Sequence, residues 1–363
     1  MYKIFTVLGT RPEIIKLSRI IEKFDKIFDH KLVHTGQNFD YELNEIFFNE
    51  LKIRKPDIFL NCAEKTSSKT ISKVLINFEN YILKNKPDAV FILGDTNSSF
   101  AALTAKKNKI PVFHFEAGNR CFDNLVPEEI NRKIIDHISD INFTYTNISK
   151  QNLISEGIHS EKIVNLGSPM KEVIYHHNNE IENSKILKKL KLEKNDYFLI
   201  SLHREENVDD IEKLNQFFQS IIYLSQKYKK KSLISTHFRT AKKLKNLKLK
   251  NNNLIFKKPF GFIDYINLQK NSFLTLSDSG TLSEESSILG VNSIHLRHCT
   301  ERPEALENGA IIIGGASKKK LLTCVKFIKS FNPKVKNHSN YDSLNISDNV
   351  VKAIISYLNY YKI

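Results

Sequence analysis

Seven short segments concentrate the side chains that can move protons or hold anions. The first, Gly9-Thr10-Arg11-Pro12-Glu13-Ile14-Ile15-Lys16, reads as a turn opening a helix with Pro near its start. Free N–H groups and the positive dipole end of such a helix suit an anion, and Arg11 and Lys16 add cationic donors. Asp95 in Gly94-Asp95-Thr96, Glu116 in His114-Phe115-Glu116-Ala117-Gly118 and Glu128 in Pro127-Glu128-Glu129 offer three carboxylates suited to general acid–base work. His203 and Arg204, in Ser201-Leu202-His203-Arg204-Glu205-Glu206-Asn207, combine a proton carrier with a phosphate-binding fork. Ser279 and Gly280 sit in a small-residue turn, Ser277 to Glu285, whose backbone N–H groups can cradle a diphosphate while a carboxylate takes ribose hydroxyls. Arg302, in Thr300-Glu301-Arg302-Pro303-Glu304, adds another cation. Each segment alone has an ordinary explanation, such as a capping Asp, a dipole-complementing Glu or a serine-capped helix.

What makes them a set is the elements that carry them. Apolar runs at Ile4–Leu8, Lys31–His34, Ala89–Leu93, Val112–Phe115 and Ile141–Tyr145 alternate with helical patterns. A second series follows at Tyr197–Ser201, Leu233–Thr236, Leu254–Phe256, Leu274–Ser277 and Ser293–Leu296. This is the pattern of α/β domains with parallel sheets, and nearly every candidate residue follows a strand, where open α/β sheets bind ligands. Two doubly wound domains are expected, 1–169 and 170–347, with the junction near Gly167-Ser168-Pro169. The apolar spacing of 348–361 predicts a C-terminal helix placed to pack back on the first domain.

A chain of 363 residues, 41% hydrophobic, is long enough for two cores. No apolar run has the length of a membrane span, and the four scattered cysteines signal neither a disulfide scaffold nor a zinc site. A cytoplasmic protein without membrane insertion is expected. The net charge of +15 raises nucleic acid as a partner, but Lys is read here as spread over the whole chain. The densest run, Lys229 to Lys250, has almost no interleaved aromatics and reads as a solvated face. Nucleic-acid binding is therefore not expected.

The joint order of these segments resembles the non-hydrolysing UDP-N-acetylglucosamine 2-epimerase family over essentially the full length. That resemblance implies two Rossmann-like domains similar to B-type glycosyltransferases, with UDP-sugar in the cleft between them, and a homodimer. It further implies epimerisation at carbon 2 by elimination and re-addition of UDP. Asp95, Glu116, Glu128 and His203 are then the catalytic candidates, with the division between base and acid left open. Arg11, Lys16, Arg204, Ser279, Gly280 and Arg302 would hold UDP, Tyr265 would stack on uracil and Glu285 would hold the ribose; a core aromatic is the competing reading of Tyr265. No metal or nicotinamide is called for: metal-ligand spacings and the Gly-x-Gly-x-x-Gly turn are absent from the sequence.

Within the family, four segments look closest to the branch that makes UDP-N-acetyl-L-fucosamine from the corresponding L-talose epimer. They are 34–41, 118–123, 258–262 and 280–287. Phe238 and Cys62-Ala63-Glu64 depart from the family pattern without touching a proposed catalytic group. UDP-N-acetylglucosamine is the alternative substrate. A glycosyltransferase of similar architecture, a hydrolysing epimerase and a nucleotide-sugar sensor are the rival readings.

Overall fold

Continuous apolar runs become strands buried on both faces: Ala89-Val90-Phe91-Ile92-Leu93 has no exposed residue and lies in the middle of a sheet. The structure, a computed structural model, describes every residue except 38–40, 203, 237, 245–246, 248, 250 and 361–363, together with the side chains of 41–44, 205–206, 238–239 and 242. It divides into two compact units, Met1–His176 with Ser339–Ile363, and His177–His338.

The first unit holds a seven-stranded sheet: β1 (Lys3–Leu8), β2 (Asp29–His34), β3 (Ile58–Phe59), β4 (Ala89–Leu93), β5 (Val112–Ala117), β6 (Ile141–Thr144) and β7 (Ile163–Asn165). Their order is β3-β2-β1-β4-β5-β6-β7, with every pairing parallel. The second unit has β8 (Tyr197–Leu202), β9 (Lys231–Thr236), β10 (Leu254–Lys257), β11 (Leu274–Ser277), β12 (Ser293–His295) and β13 (Ile311–Ile313). Their order is β10-β9-β8-β11-β12-β13, again parallel. Chain order reverses beside β1 in one sheet and beside β8 in the other, so the loops after β1 and β4, and after β8 and β11, flank the two switch points. Both units are doubly wound α/β sheets, the expected class. The short strands β3, β7 and β13 were not among the expected ones; two or three residues at or next to a sheet edge leave no long apolar run.

The helix Arg11–Ile27 shows how sequence sets these layers. Thr10 and Glu13 form a capping box, Pro12 sits in the first turn, and Ile14, Leu17, Ile20, Ile21 and Phe24 recur at helical spacing and are buried. The expected boundary at 169 moves to His176, because Met170 and Val173 are buried in the first unit and Glu172 accepts from the Ser347 backbone N–H at 2.9 Å. Residues 339–347 also belong to the first unit rather than the second: Ser168 N–H donates to Asn340 O at 2.9 Å. The C-terminal helix, Ile346–Tyr360, docks there through Lys23–Asp348 (2.8 Å) and Tyr357 Oη donating to Glu161 O (2.7 Å).

Candidate functional site

In the first unit the central feature is Glu116, near the end of β5. The register between β5 and β6 shifts between Phe115 and Ala117, and Glu116 has φ +71°. A β-bulge at a strand end re-aims a side chain, and the left-handed backbone costs a non-glycine residue about 1–2 kcal/mol. The re-aimed carboxylate is received by Lys16, a fully buried lysine, whose Nζ is 2.7 Å from Glu116 Oε2. Tyr145 Oη donates to the same oxygen at 3.2 Å, and Lys16 Nζ lies 5.2 Å from the Tyr145 ring centroid. Lys16 therefore meets its acid partner from the neighbouring helix and braces the site, whatever it contributes to anion binding.

Asp95 follows the adjacent strand, β4. Arg132 reaches its Oδ2 with Nε at 2.9 Å and Nη2 at 2.8 Å, and Asn131 Nδ2 donates to its backbone carbonyl at 2.8 Å. Both partners lie on the helix Pro127–Ile138 that begins with Glu128. Of its two adjacent acids, Glu129 is fully buried, accepting from the Cys121 and Phe122 amides and from Arg132 Nη1 (3.1 Å); Glu128 is half-buried at the first turn. Placing the brace on Glu129 leaves Glu128 as the acid nearer solvent. Arg11 is the first residue of its helix and half-buried.

A buried network, unforeseen in the sequence, holds these loops. His114 lies 3.0 Å from Gly94 O through Nε2, which must carry the proton because a carbonyl only accepts, and 3.0 Å from Asp136 through Nδ1. Asp136 also accepts from Gly118 N–H (3.3 Å) and Arg120 Nη1 (2.7 Å), while Arg120 reaches Glu156 at 2.7 and 2.6 Å. Burial pushes the Asp136 carboxyl up, but His114 and Arg120 outweigh it and hold it below the usual aspartate value. The loops after β4 and β5 thus share one anchor.

Glu13 is the second unforeseen acid. Its Oε2 accepts from the Gly9 and Thr10 amides at 2.6 and 2.7 Å and its Oε1 from Thr96 Oγ1 at 2.6 Å, tying the loop after β1 to the loop after β4. Burial pushes its pKa up to about 7 despite these bonds. The Thr-x-x-Glu spacing is the local signal of a capping box, which carries no sign of the burial. Gly9 has a steric reason: a side chain there would strike Ser98 Oγ and Thr35 Oγ1.

The second unit places its candidates at the β8/β11 switch point. His203 lies outside the described residues. Arg204 N–H donates to Asp278 Oδ2 at 2.9 Å and Asn207 Nδ2 donates to the same oxygen at 3.1 Å, so fully buried Asp278 joins the loops after β8 and β11. Ser279 N–H donates to Ser277 Oγ (3.1 Å), and the Ser279 and Thr281 hydroxyls are 3.0 Å apart. Arg302 Nη1 donates to Gly280 O at 2.7 Å and its Nη2 lies 3.3 Å from buried Glu284 Oε2, so Arg302 shapes the turn it was expected to assist. Tyr265, on the helix Phe262–Asn271, packs against the cluster containing Ile186, Tyr197 and Leu268. Burial, with the nearby Glu285 carboxylate, pushes its phenol pKa well up, against hydrogen bonds from Ser277 and Ser201 at the ends of β11 and β8. The ring is half-buried against that cluster while its hydroxyl faces the switch point; Glu285 is buried beside it.

A family model described as UDP-N-acetylglucosamine 2-epimerase matches residues 22–358. The chain belongs to the UDP-N-acetylglucosamine 2-epimerase family. It is accordingly an isomerase acting on a UDP-sugar. A Methanococcus maripaludis UDP-N-acetylglucosamine 2-epimerase is 42% identical over 342 residues, covering 91% of this chain and 93% of the relative. A Pseudomonas aeruginosa UDP-2,3-diacetamido-2,3-dideoxy-D-glucuronate 2-epimerase is 36% identical, covering 87% and 89%. The Methanocaldococcus jannaschii UDP-GlcNAc 2-epimerase, solved in complex with UDP-GlcNAc and UDP, aligns at TM-score 0.92 with 38% identity over 98% of this chain and 99% of that one. A Phytolacca americana protein, UGT2, complexed with UDP-2-fluoro-glucose and pterostilbene, shares the fold alone, at TM-score 0.62 and 12% identity over 99% and 100%.

Proposed function

We propose that this epimerase inverts carbon 2 of a UDP-linked 2-acetamido sugar without net hydrolysis, converting UDP-2-acetamido-2,6-dideoxy-L-talose to UDP-N-acetyl-L-fucosamine. The observation that carries the reaction type is Glu116, whose carboxylate is aimed by a strained residue and met by a buried lysine and a tyrosine hydroxyl. Carbon 2 is not adjacent to a carbonyl, so direct deprotonation faces a high barrier. Instead, a carboxylate takes the carbon 2 proton while the electron pair of that C–H bond forms the C1–C2 double bond and the C1–O bond to UDP breaks. UDP oxygen then re-adds at carbon 1 as a proton is delivered to the opposite face of carbon 2. Asp95, Glu116 and Glu128, with His203, supply base and acid. Arg11, Arg204 and the Ser279-Gly280 turn retain UDP, with charge-assisted bonds of about 1.5–3 kcal/mol each.

The choice of sugar rests on the segments 34–41, 118–123, 258–262 and 280–287. The 42% identical Methanococcus relative, named for UDP-N-acetylglucosamine, favours that sugar as a second reading. Proton NMR in deuterated water separates them. Deuterium entering carbon 2 of UDP-N-acetyl-L-fucosamine, with appearance of its talo epimer, supports the proposal. Exchange only into UDP-N-acetylglucosamine keeps the mechanism and rejects the substrate; free sugar accumulating with UDP rejects the non-hydrolysing route.

A further inference from the structure

The net charge of +15 is not shared evenly. His177–His338 carries 29 Lys and Arg against 16 Asp and Glu, a net of +13, whereas Met1–His176 with Ser339–Ile363 carries 26 against 24, a net of +2. A genome-wide preference for Lys would act on both units, so it does not explain the contrast. The acids are missing in two stretches: residues 213–263 and 308–341 contain no Asp or Glu. These stretches include most of the helix Ile211–Tyr228 and the whole helix Lys318–Phe331, which pack side by side.

The second helix buries Leu321, Cys324, Val325 and Ile328 at helical spacing. Its outward residues are Lys319, Lys320, Lys326 and Lys329, together with exposed Phe327 and Phe331, whose rings meet at 5.4 Å. Between the helices, Lys318 Nζ sits 4.1 Å from the Tyr223 ring centroid and Lys329 Nζ 5.0 Å from that of Tyr228. Acids near this face are few: Asp196 lies 3.9 Å from Lys230, Asp210 caps the Ile211 helix and lies 3.3 Å from Lys213, Glu212 is in the first turn of that helix, and Glu307 precedes β13.

We propose that this face docks on an anionic phospholipid surface, with the lysines against the headgroups and Phe327 and Phe331 seated at the acyl boundary. Lysines around an exposed apolar pair are what an interfacial helix presents. Single-stranded nucleic acid fits less well: neither helix has an arginine, and Tyr223 and Tyr228 have lysine ammonium groups over their rings rather than open stacking faces. Among the described residues no helix is long and apolar enough to cross a membrane, so the contact is peripheral.

The test is sedimentation of the full chain with vesicles of phosphatidylcholine alone and of phosphatidylcholine with phosphatidylglycerol, at low and high salt. Retention on the anionic vesicles only, weakened by salt, is expected. Each basic residue near such a surface contributes roughly fivefold, so Lys319→Glu/Lys320→Glu/Lys326→Glu should lower retention by on the order of 100-fold. The unfolding midpoint and epimerase rate should be unchanged. Absence of anionic-vesicle binding, equal binding by the triple variant, or binding of a single-stranded RNA oligonucleotide that anionic vesicles fail to displace would each overturn the proposal.

Discussion

In both units the loops beside the two central strands meet where strand order reverses, yet the side chains placed there differ in kind. The first unit presents carboxylates: Asp95 and Glu116 are each met by a cation from a helix, Arg132 and Lys16, and Glu128 lies half-buried in the first turn of the helix Pro127–Ile138. The second presents a small-residue turn and arginines, with its acids, Asp278 and Glu284, turned inward to hold the loops. Under the proposed function one topology would serve two tasks, proton chemistry and anion retention, and that division predicts different kinetic signatures for substitutions on either side.

Glu116→Gln and Arg204→Ala should differ most. General acid–base groups contribute about 10²–10⁴-fold, so Glu116→Gln should cut carbon 2 exchange by about 10³-fold with little change in UDP affinity. Arg204→Ala should weaken UDP binding by about 10–100-fold and leave exchange at saturating substrate nearly intact. Calorimetric UDP titration beside NMR exchange checks both; a loss of exchange from Arg204→Ala matching that from Glu116→Gln would erase the division.

Next in size is Asp136→Asn, which removes the fully buried carboxylate facing Arg120 and His114 and leaves Arg120 with Glu156 alone. Breaking such a pair costs about 3–5 kcal/mol, so urea unfolding of the first unit should shift strongly while UDP binding by the surviving fold persists. Unchanged stability would remove Asp136 as the shared anchor.

The smallest effect separates the units by pH. Glu13, raised from 4.5 to about 7, favours the folded state fully below pH 4.5, and this advantage, about 3 kcal/mol, is lost as pH rises through 7. His295 runs the other way: burial holds it at about 4 against an ordinary 6.5, and among the described residues neither ring nitrogen has a hydrogen-bond partner. Its contribution is present above pH 6.5 and lost as pH falls towards 4. Glu13→Gln should thus remove a loss of stability as pH rises from 4.5 to about 7, and His295→Gln a loss as pH falls from 6.5 to about 4, in pH-dependent denaturation; profiles unchanged by either substitution would contradict the assignments.

Asp95 and Glu116 were legible because each closes an apolar run long enough to read as a strand, and strand ends locate ligands. Glu13, Asp136 and Asp278 were not, because the sequence shows an acid near a turn or on a helix but not the partner that buries it. The choice between Glu128 and Glu129 depended on which way the helix faces, set by the Cys121–Phe122 loop folding over it. Lys16 was read as a ligand-binding cation, and its ion pair with a residue 100 positions away had no local signal. The domain boundary slipped because the buried side of 170–176 is decided by a helix almost two hundred residues later. The charge contrast between units was countable in the sequence but needed the boundary before it could be counted.

Glu116 has one more consequence. Phe115 pairs with Phe143 and Ala117 with Thr144, so β5 spends three residues where β6 spends two. By pairing alone, Glu116 is superfluous: a chain lacking it would align Phe115 and Ala117 directly against their partners, relieve the left-handed backbone and knit the ladder without a break. Deleting the residue should therefore heal the sheet as it silences the site.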